Sequence, residues 1–200
     1  GLVNFGGHTP GLSVGEHGAW HMIFGRRAFF GYAADDAGGT AWFANVPRTQ
    51  VGAEERCATS LDEWRAQLQE LFAGDAGPIA ALLENGRLEL AADNTHDLPS
   101  IPRWSRGPMV VIGDAAHAPS PSSGQGAAMA IEDAVVLAQC LRDRRTVADA
   151  LETYERLRRR RVERIVAHGA RSSNSKAPGP VGRVLRDLLL PHVFRFVVTE

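Results

Sequence analysis

Residues 110–134 read VVIGDAAHAPSPSSGQGAAMAIEDA. An apolar run enters Gly113-Asp114, a loop of Pro, Ser and Gly follows, and a segment with few polar positions comes next. Reversing a chain at a surface turn needs only a pair such as Asn-Gly or Pro-Gly. Glycine also admits backbone conformations closed to other residues and clears side chains from an approaching ligand. Strand, glycine-rich loop and helix in that order mark a place where main chain meets a bound molecule. Met109, Val110, Val111 and Ile112 are continuous rather than alternating, which predicts a strand buried on both faces of a sheet. Gly113 then brings backbone close to a ligand. Asp114 falls at the strand's carboxyl end, the edge where open α/β sheets bind their ligands. A carboxylate there accepts from sugar-like hydroxyls, and Ala115, Ala116 and Ala118 are small enough to lie against a bulky group.

Beyond the loop, Pro119, Pro121 and Gly124-Gln125-Gly126 fix the entry to a helix predicted over 126–142. Its polar stripe is narrow, with Glu132, Gln139 and Asp143, so the helix is expected to lie deep, with Ala127, Ile131, Ala134 and Ala138 buried. The first N–H groups, on Gly126, Ala127 and Ala128, lack intrahelical partners and sit at the positive end of the helix dipole. They suit an anion or an electron-rich carbonyl.

Upstream, Gly18–Phe24 alternates, with Trp20, Met22 and Phe24 on one strand face and His21 on the other. Residues 28–34 and 40–46 predict two more strands, the second carrying Trp42 and Phe43, joined through Asp35-Asp36-Ala37-Gly38-Gly39. The first third therefore reads as an antiparallel meander with an aromatic face. Ser60-Leu61-Asp62-Glu63 is a capping box opening a helix, Asn85-Gly86 ends a shorter one, and 87–92 returns as a strand. Residues 97–104 form an extended connection. Thr146 caps a helix over 147–169 with Leu151, Tyr154, Val162 and Ile165 on its apolar side. The run Arg158–Arg161 is interleaved with Glu152, Glu155 and Glu163 and reads as a solvated helix face, not a nucleic-acid contact. Residues 172–180 read as a linker and 181–198 as a terminal amphipathic helix.

The whole chain has 200 residues, 44% hydrophobic and 22% charged, with a net charge of −1. That suits a globular protein and gives no bulk attraction to nucleic acid. Cys57 and Cys140 lie far apart, which fits a reduced, cytoplasmic setting, and no apolar run predicts a membrane span or a signal peptide.

From Trp104 onward the pattern W-x-x-G-x-x-V-V-I-G-D-A-A-H-A-x-x-P-x-x-G-Q-G-A-x-M-A-I-E-D-A-x-x-L-A-x-x-L resembles the second flavin-binding motif of the class A flavoprotein monooxygenases. These are the FAD-dependent aromatic hydroxylases related to p-hydroxybenzoate and salicylate hydroxylases. YERLRRRRVERI, 154–165, is similar to the helix that follows in that family, and FGRRAFFGY, 24–32, with WFANVPR, 42–48, is similar to its substrate-side sheet.

The resemblance implies an α/β fold, α+β within these residues: an antiparallel substrate-side sheet, the strand–loop–helix of a Rossmann-like FAD-binding domain, and a helical C-terminus. It divides the chain into 1–104 (substrate-side sheet), 105–170 (the C-terminal part of the FAD-binding domain) and 171–200 (linker and terminal helix). It implies FAD as cofactor, NAD(P)H as co-substrate, O2 as oxidant and a small aromatic substrate. Gly113, Asp114, Pro121, Gly124, Gln125, Gly126, Ala127 and Ala128 are the implied flavin contacts, with Asp114 on the ribityl chain. Where the family often has Asn, Ala128 offers only backbone. Trp20, Met22, Phe24, Phe43, His117 and Ser120 are candidates for the substrate wall, although His117 reads first as a hydrogen-bonded strut supporting the loop.

The family's N-terminal G-x-G-x-x-G unit, which binds the ADP half of FAD, has no counterpart in the sequence, nor does its Asp-Gly motif. The expected partner is therefore that N-terminal half, and the chain alone is expected to hold FAD weakly or not at all. Two other chemistries read poorly. Ser120, Ser122 or Ser123 with His117 and Asp114 lack the G-x-S-x-G of a hydrolase. His8, His17 and His21 lack a fixed ligand spacing for a metal. A non-hydroxylating flavin oxidoreductase and an inactive flavin-fold remnant remain as alternatives.

Overall fold

The structure, a computed structural model, describes residues 1–174, without the side chains of Ser122 and 172–174. It divides into two units, Gly1–Asn94 and Thr95–Ser173. The division falls upstream of the sequence-based boundary after 104.

The first unit is an antiparallel sheet with helices on one face. Its strands are β1 (Leu2–Thr9), β2 (His21–Phe24), β3 (Phe29–Ala34), β4 (Thr40–Pro47) and β5 (Arg87–Asn94), in the order β2-β3-β4-β1-β5. Helices α1 (Ala53–Ala58), α2 (Leu61–Phe72) and α3 (Ile79–Asn85) connect β4 to β5. The capping box forms: the Ser60 hydroxyl accepts from Glu63 N–H (3.2 Å) and the Glu63 carboxylate accepts from Ser60 N–H (2.8 Å). Trp64, Leu68 and Phe72 of α2 and Ile79, Leu82 and Leu83 of α3 join Val3, Phe5, Phe30, Tyr32, Trp42 and Ala44 of the sheet in one core.

Strand β1 and helix α1 are not among the sequence expectations. Gly6-Gly7 interrupts the apolar pattern of β1 and disguises it. Gly7 is there for its neighbour: a Cβ on it would come within 2.4 Å of the Trp42 ring. Such close backbone approach is a recognised use of glycine in a strand.

The second unit holds the short hairpin β6 (Ser105–Arg106) and β7 (Met109–Val110), two 3-10 turns (Gly113–Ala115 and Pro121–Ser123), and helices α4 (Gly126–Asp143) and α5 (Val147–Asn174). Thr146 caps α5 as expected, accepting from Asp149 N–H at 3.2 Å. Met129 and Cys140 of α4 pack with Trp104, Ala116, Ala150, Tyr154, Val162 and Val166. Arg159 ties down the incoming segment, donating to the Ile101 carbonyl (2.9 Å) while its guanidinium lies over the Trp104 ring.

Four expectations are corrected in this unit. The run 109–112 is not buried on both faces: Met109 is 68% exposed, Val111 and Ile112 36% each. No strand beyond β6 flanks β7 among the described residues, and of the run it is Val110 that packs on the unit's core. Helix α4 has its expected span, but Ala127, Ile131, Ala134 and Ala138 are exposed. What it buries instead is Met129, Asp133 and Cys140. The Arg158–Arg161 run is not a solvated face throughout, because Arg158 is only 4% exposed and ion-paired. Finally, 171–174 continue α5 instead of starting a linker. The expected terminal helix at 181–198 lies outside the described residues.

Candidate functional site

Gly113 is the pivot of the second unit's loop. It is buried and has φ 57°, a left-handed conformation that costs a residue with a side chain. Its carbonyl accepts from Ala116 and His117 N–H, both at 2.9 Å. Its own N–H donates 2.9 Å to Asp133 Oδ2. The chain turns there, and Asp114 emerges exposed from the 3-10 turn.

Asp114 faces the start of α4. A Cβ placed on Gly126 would stand 3.9 Å from Asp114 Oδ1 and 3.7 Å from the Pro119 ring. The helix ladder begins with Met129 N–H donating to the Gln125 carbonyl at 3.0 Å, and the Gln125 side chain does not cap. The N–H groups of Gly126, Ala127 and Ala128 therefore stand outside the ladder. Gly124 supplies the left-handed step before them, with φ 64°. Pro121, Gly124, Gln125, Ala127 and Ala128 are exposed and Gly126 half-buried. One surface of this unit thus offers a carboxylate acceptor beside uncapped amide donors, with a glycine between them. That donor set fits a ligand with both hydroxyls and an electron-rich ring edge, as the ribityl and pyrimidine parts of a flavin have.

Beneath this surface lies a polar network. Asp133, with no exposed surface, also accepts from His117 Nε2 (2.6 Å) and Arg158 Nε (2.7 Å). Arg158 donates further to Glu132 Oε2 (2.6 Å) and the Met129 carbonyl (3.2 Å). Burial raises the Asp133 carboxyl, but the bonds from His117, Arg158 and Gly113 outweigh it and hold it down to about 2. An ionised carboxylate only accepts, so His117 Nε2 carries a hydrogen. Glu132, bonded to Arg161 and Arg158, is likewise lowered to about 2. Burial and the Asp133 charge push the Tyr154 phenol up.

His117 and Ser120 are only 1% and 3% exposed, beneath the loop rather than on its surface. Asp133 and Arg158 were missed by sequence reasoning. The available signal was an acid beside Glu132 in an otherwise apolar helix, with an arginine-rich helix to follow.

The other candidates lie on the first unit's sheet, on the face opposite the helices. The register aligns Met22, Gly31, Phe43, Gly6 and Leu90 across all five strands. Gly31 makes room for Phe43, whose ring would be 2.4 Å from a Cβ there. Trp20 stands edge-on to Phe43 (5.6 Å between ring centroids), and Phe29 links Phe43 (5.9 Å) to Phe24 (4.9 Å). Trp20 and Met22 are half exposed. The result is an aromatic shelf with glycine clearings. On the same face of β1, His8 Nε2 meets Asp35 Oδ2 at 2.5 Å. The Gly39 N–H, then His8, holds the Asp35 carboxyl below its ordinary value.

Comparison with known proteins agrees with this fold. The model of a family described as "FAD binding domain" matches residues 29–169. An aurachin C monooxygenase/isomerase of Stigmatella aurantiaca is 36% identical over 69% of this chain and 35% of its own length. A FAD-dependent urate hydroxylase of Klebsiella pneumoniae is 34% identical over 83% of this chain and 42% of its own. The crystal structure of Klebsiella pneumoniae HpxO complexed with FAD and uric acid superposes with a TM-score of 0.73 at 27% identity, over 94% of this chain and 49% of that one. The chain thus spans less than half the length of these relatives. No helix among the described residues is long and apolar enough to cross a membrane. Motif, fold and relatives converge: the chain belongs to the FAD binding domain family, among the class A flavin monooxygenases.

Proposed function

We propose that this chain contributes the flavin-ring and substrate-side parts of a FAD-dependent, NAD(P)H-consuming monooxygenase acting on an aromatic or related ring. The observation that carries the reading is the exposed Asp114 carboxylate set against the uncapped start of α4. When bound, FAD supplies the redox chemistry, taking electrons from NAD(P)H and delivering one oxygen atom of O2 to the ring. The protein binds, orients and polarises. Asp114 accepts a hydrogen bond from the ribityl chain. The amides of Gly126, Ala127 and Ala128 face the pyrimidine edge, where fixed donors stabilise the negative charge of the reduced ring. The loop Pro121–Gly126 passes the ring with little side chain in the way.

On the sheet, the Trp20, Met22, Phe24 and Phe43 shelf is the wall for a flat apolar ring, which stacks on aromatic faces. His8 and Asp35 lie at the polar end of the same face. His117 and Ser120 support the loop from beneath. The apolar surface of α4 and β7, with Ile131 66% and Met109 68% exposed, is the one we assign to a dinucleotide-binding unit carrying G-x-G-x-x-G. The exposed free Cys57 fits a cytoplasmic setting.

The test is to join this chain to the G-x-G-x-x-G unit of a relative and supply FAD, NADH and candidate aromatic acids and heterocycles. The proposal expects a yellow protein whose oxygen uptake yields a hydroxylated product. NADH oxidation with no oxygenated product from any ring would favour a non-hydroxylating oxidoreductase.

A further inference from the structure

Asp133 bonds to the exit of β7 at Gly113, to the loop at His117 and to α5 at Arg158, from a position with no solvent exposure. Net stability is a poor explanation for such a group. A buried ion pair replaced by apolar residues of similar volume is often neutral or more stable, because desolvation offsets the attraction. What an apolar pair could not reproduce is the direction of the bonds. Asp133 Oδ2 takes both the Gly113 N–H and His117 Nε2, so a single oxygen fixes the two ends of the turn that contains Asp114. The Gly113 carbonyl is fixed as well, by Ala116 and His117 N–H. Arg158 holds the other oxygen, and Glu132 and the Met129 carbonyl hold Arg158.

We propose that Asp133 is the positioning residue of the ligand turn: through Gly113 and His117 it aims the Asp114 carboxylate at the start of α4, and Arg158 orients Asp133. Asp133 touches no ligand itself. The proposal rests on the reading of Asp114 as a flavin contact, and its test separates the two.

Three forms of the 200-residue chain are compared: wild type, Asp133→Asn, and the apolar pair Asp133→Leu/Arg158→Met. Each is measured for urea stability, for amide exchange at Gly113 and Asp114 without ligand, and for affinity toward FMN, which carries the ring, the ribityl chain and one phosphate but no adenylate. The expected result is that the apolar pair folds but stays below wild-type stability, because the Gly113 N–H and His117 Nε2 lose their acceptor, while Gly113 exchange is at least tenfold faster and FMN binding at least tenfold weaker. Asp133→Asn should show the same two losses. Recovery of slow exchange and FMN affinity together with stability would reduce Asp133 to a packing element and overturn the proposal. If the apolar pair does not fold, Asp133→Asn decides: wild-type exchange at Gly113 in that variant overturns it. If wild type does not bind FMN, affinity is read instead for FAD in the chain joined to a relative's G-x-G-x-x-G unit, where failure to bind ends the flavin reading, and the exchange arm still decides whether Asp133 sets the turn.

Discussion

Gly113→Ala tests whether the ligand turn depends on backbone that only glycine supplies. Two terms add. An alanine at φ 57° adopts a left-handed conformation at a cost of about 1–2 kcal/mol. Its Cβ would also stand 3.2 Å from Ala130 Cβ, close enough that α4 must give by a few tenths of an ångström. Gly107 provides the internal control. It has φ 59° in the β6–β7 turn, and a Cβ there meets nothing within 4 Å. Gly107→Ala therefore carries the conformational term alone. The expected order in urea is wild type, then Gly107→Ala lower by about 1 kcal/mol, then Gly113→Ala lower by about 2 kcal/mol or more. With a denaturant slope of about 1–3 kcal/mol per molar, the second difference is on the order of 1 M in midpoint. FMN affinity should fall in Gly113→Ala and be unchanged in Gly107→Ala. Equal midpoints for the two variants, or equal FMN affinity, would refute the reasoning, since the contact with α4 would then cost nothing.

Arg158→Met alone, unlike the apolar pair, strands the Asp133 carboxylate and should destabilise by about 3–5 kcal/mol in urea unfolding. Acid should unfold the second unit in a defined window. Burial opposes the charge on Asp133, yet its bonds lower it from 3.8 to about 2, so its contribution, about 2 kcal/mol, is complete above about pH 4 and lost as pH falls through 2. Stability measured from pH 5 to 2 should fall over that range, and Asp133→Asn should flatten the fall. In the joined enzyme, Phe43→Ala should raise KM for the ring substrate about tenfold with little change in kcat, the size expected for one lost aromatic contact. Ser60→Ala should cost about 1 kcal/mol by opening the capping box, read by the same denaturation.

Much of this arrangement was legible because it is local. Gly113-Asp114, the glycine loop and the start of α4 follow one another along the chain, so turn chemistry and helix signals point to them directly. The Ser60 and Thr146 caps are legible for the same reason. Burial was not. An apolar helix face predicts a covering layer but does not say which residues supply it, and α4 exposes Ile131 while burying Asp133. Arg158 looked solvated because the nearby acids Glu152, Glu155 and Glu163 suggested charge pairing along α5. Its partners are instead Asp133 and Glu132 on α4, 25 and 26 residues away in sequence. Strand β1 was hidden by Gly6 and Gly7, and the purpose of Gly7 depends on the Trp42 ring of β4 that only the register brings alongside.

The central claim is that Asp114 and the first turn of α4 bind the ring and ribityl end of a flavin. The direct measurement is an amide NMR titration of the chain joined to a relative's G-x-G-x-x-G unit with FMN and, separately, with ADP, each to millimolar concentration. The account predicts that FMN shifts the amides of Asp114, Gly126, Ala127 and Ala128, that Asp114→Ala weakens this response, and that ADP leaves those amides in place. FMN leaving all four unmoved, or ADP moving them instead, would contradict it.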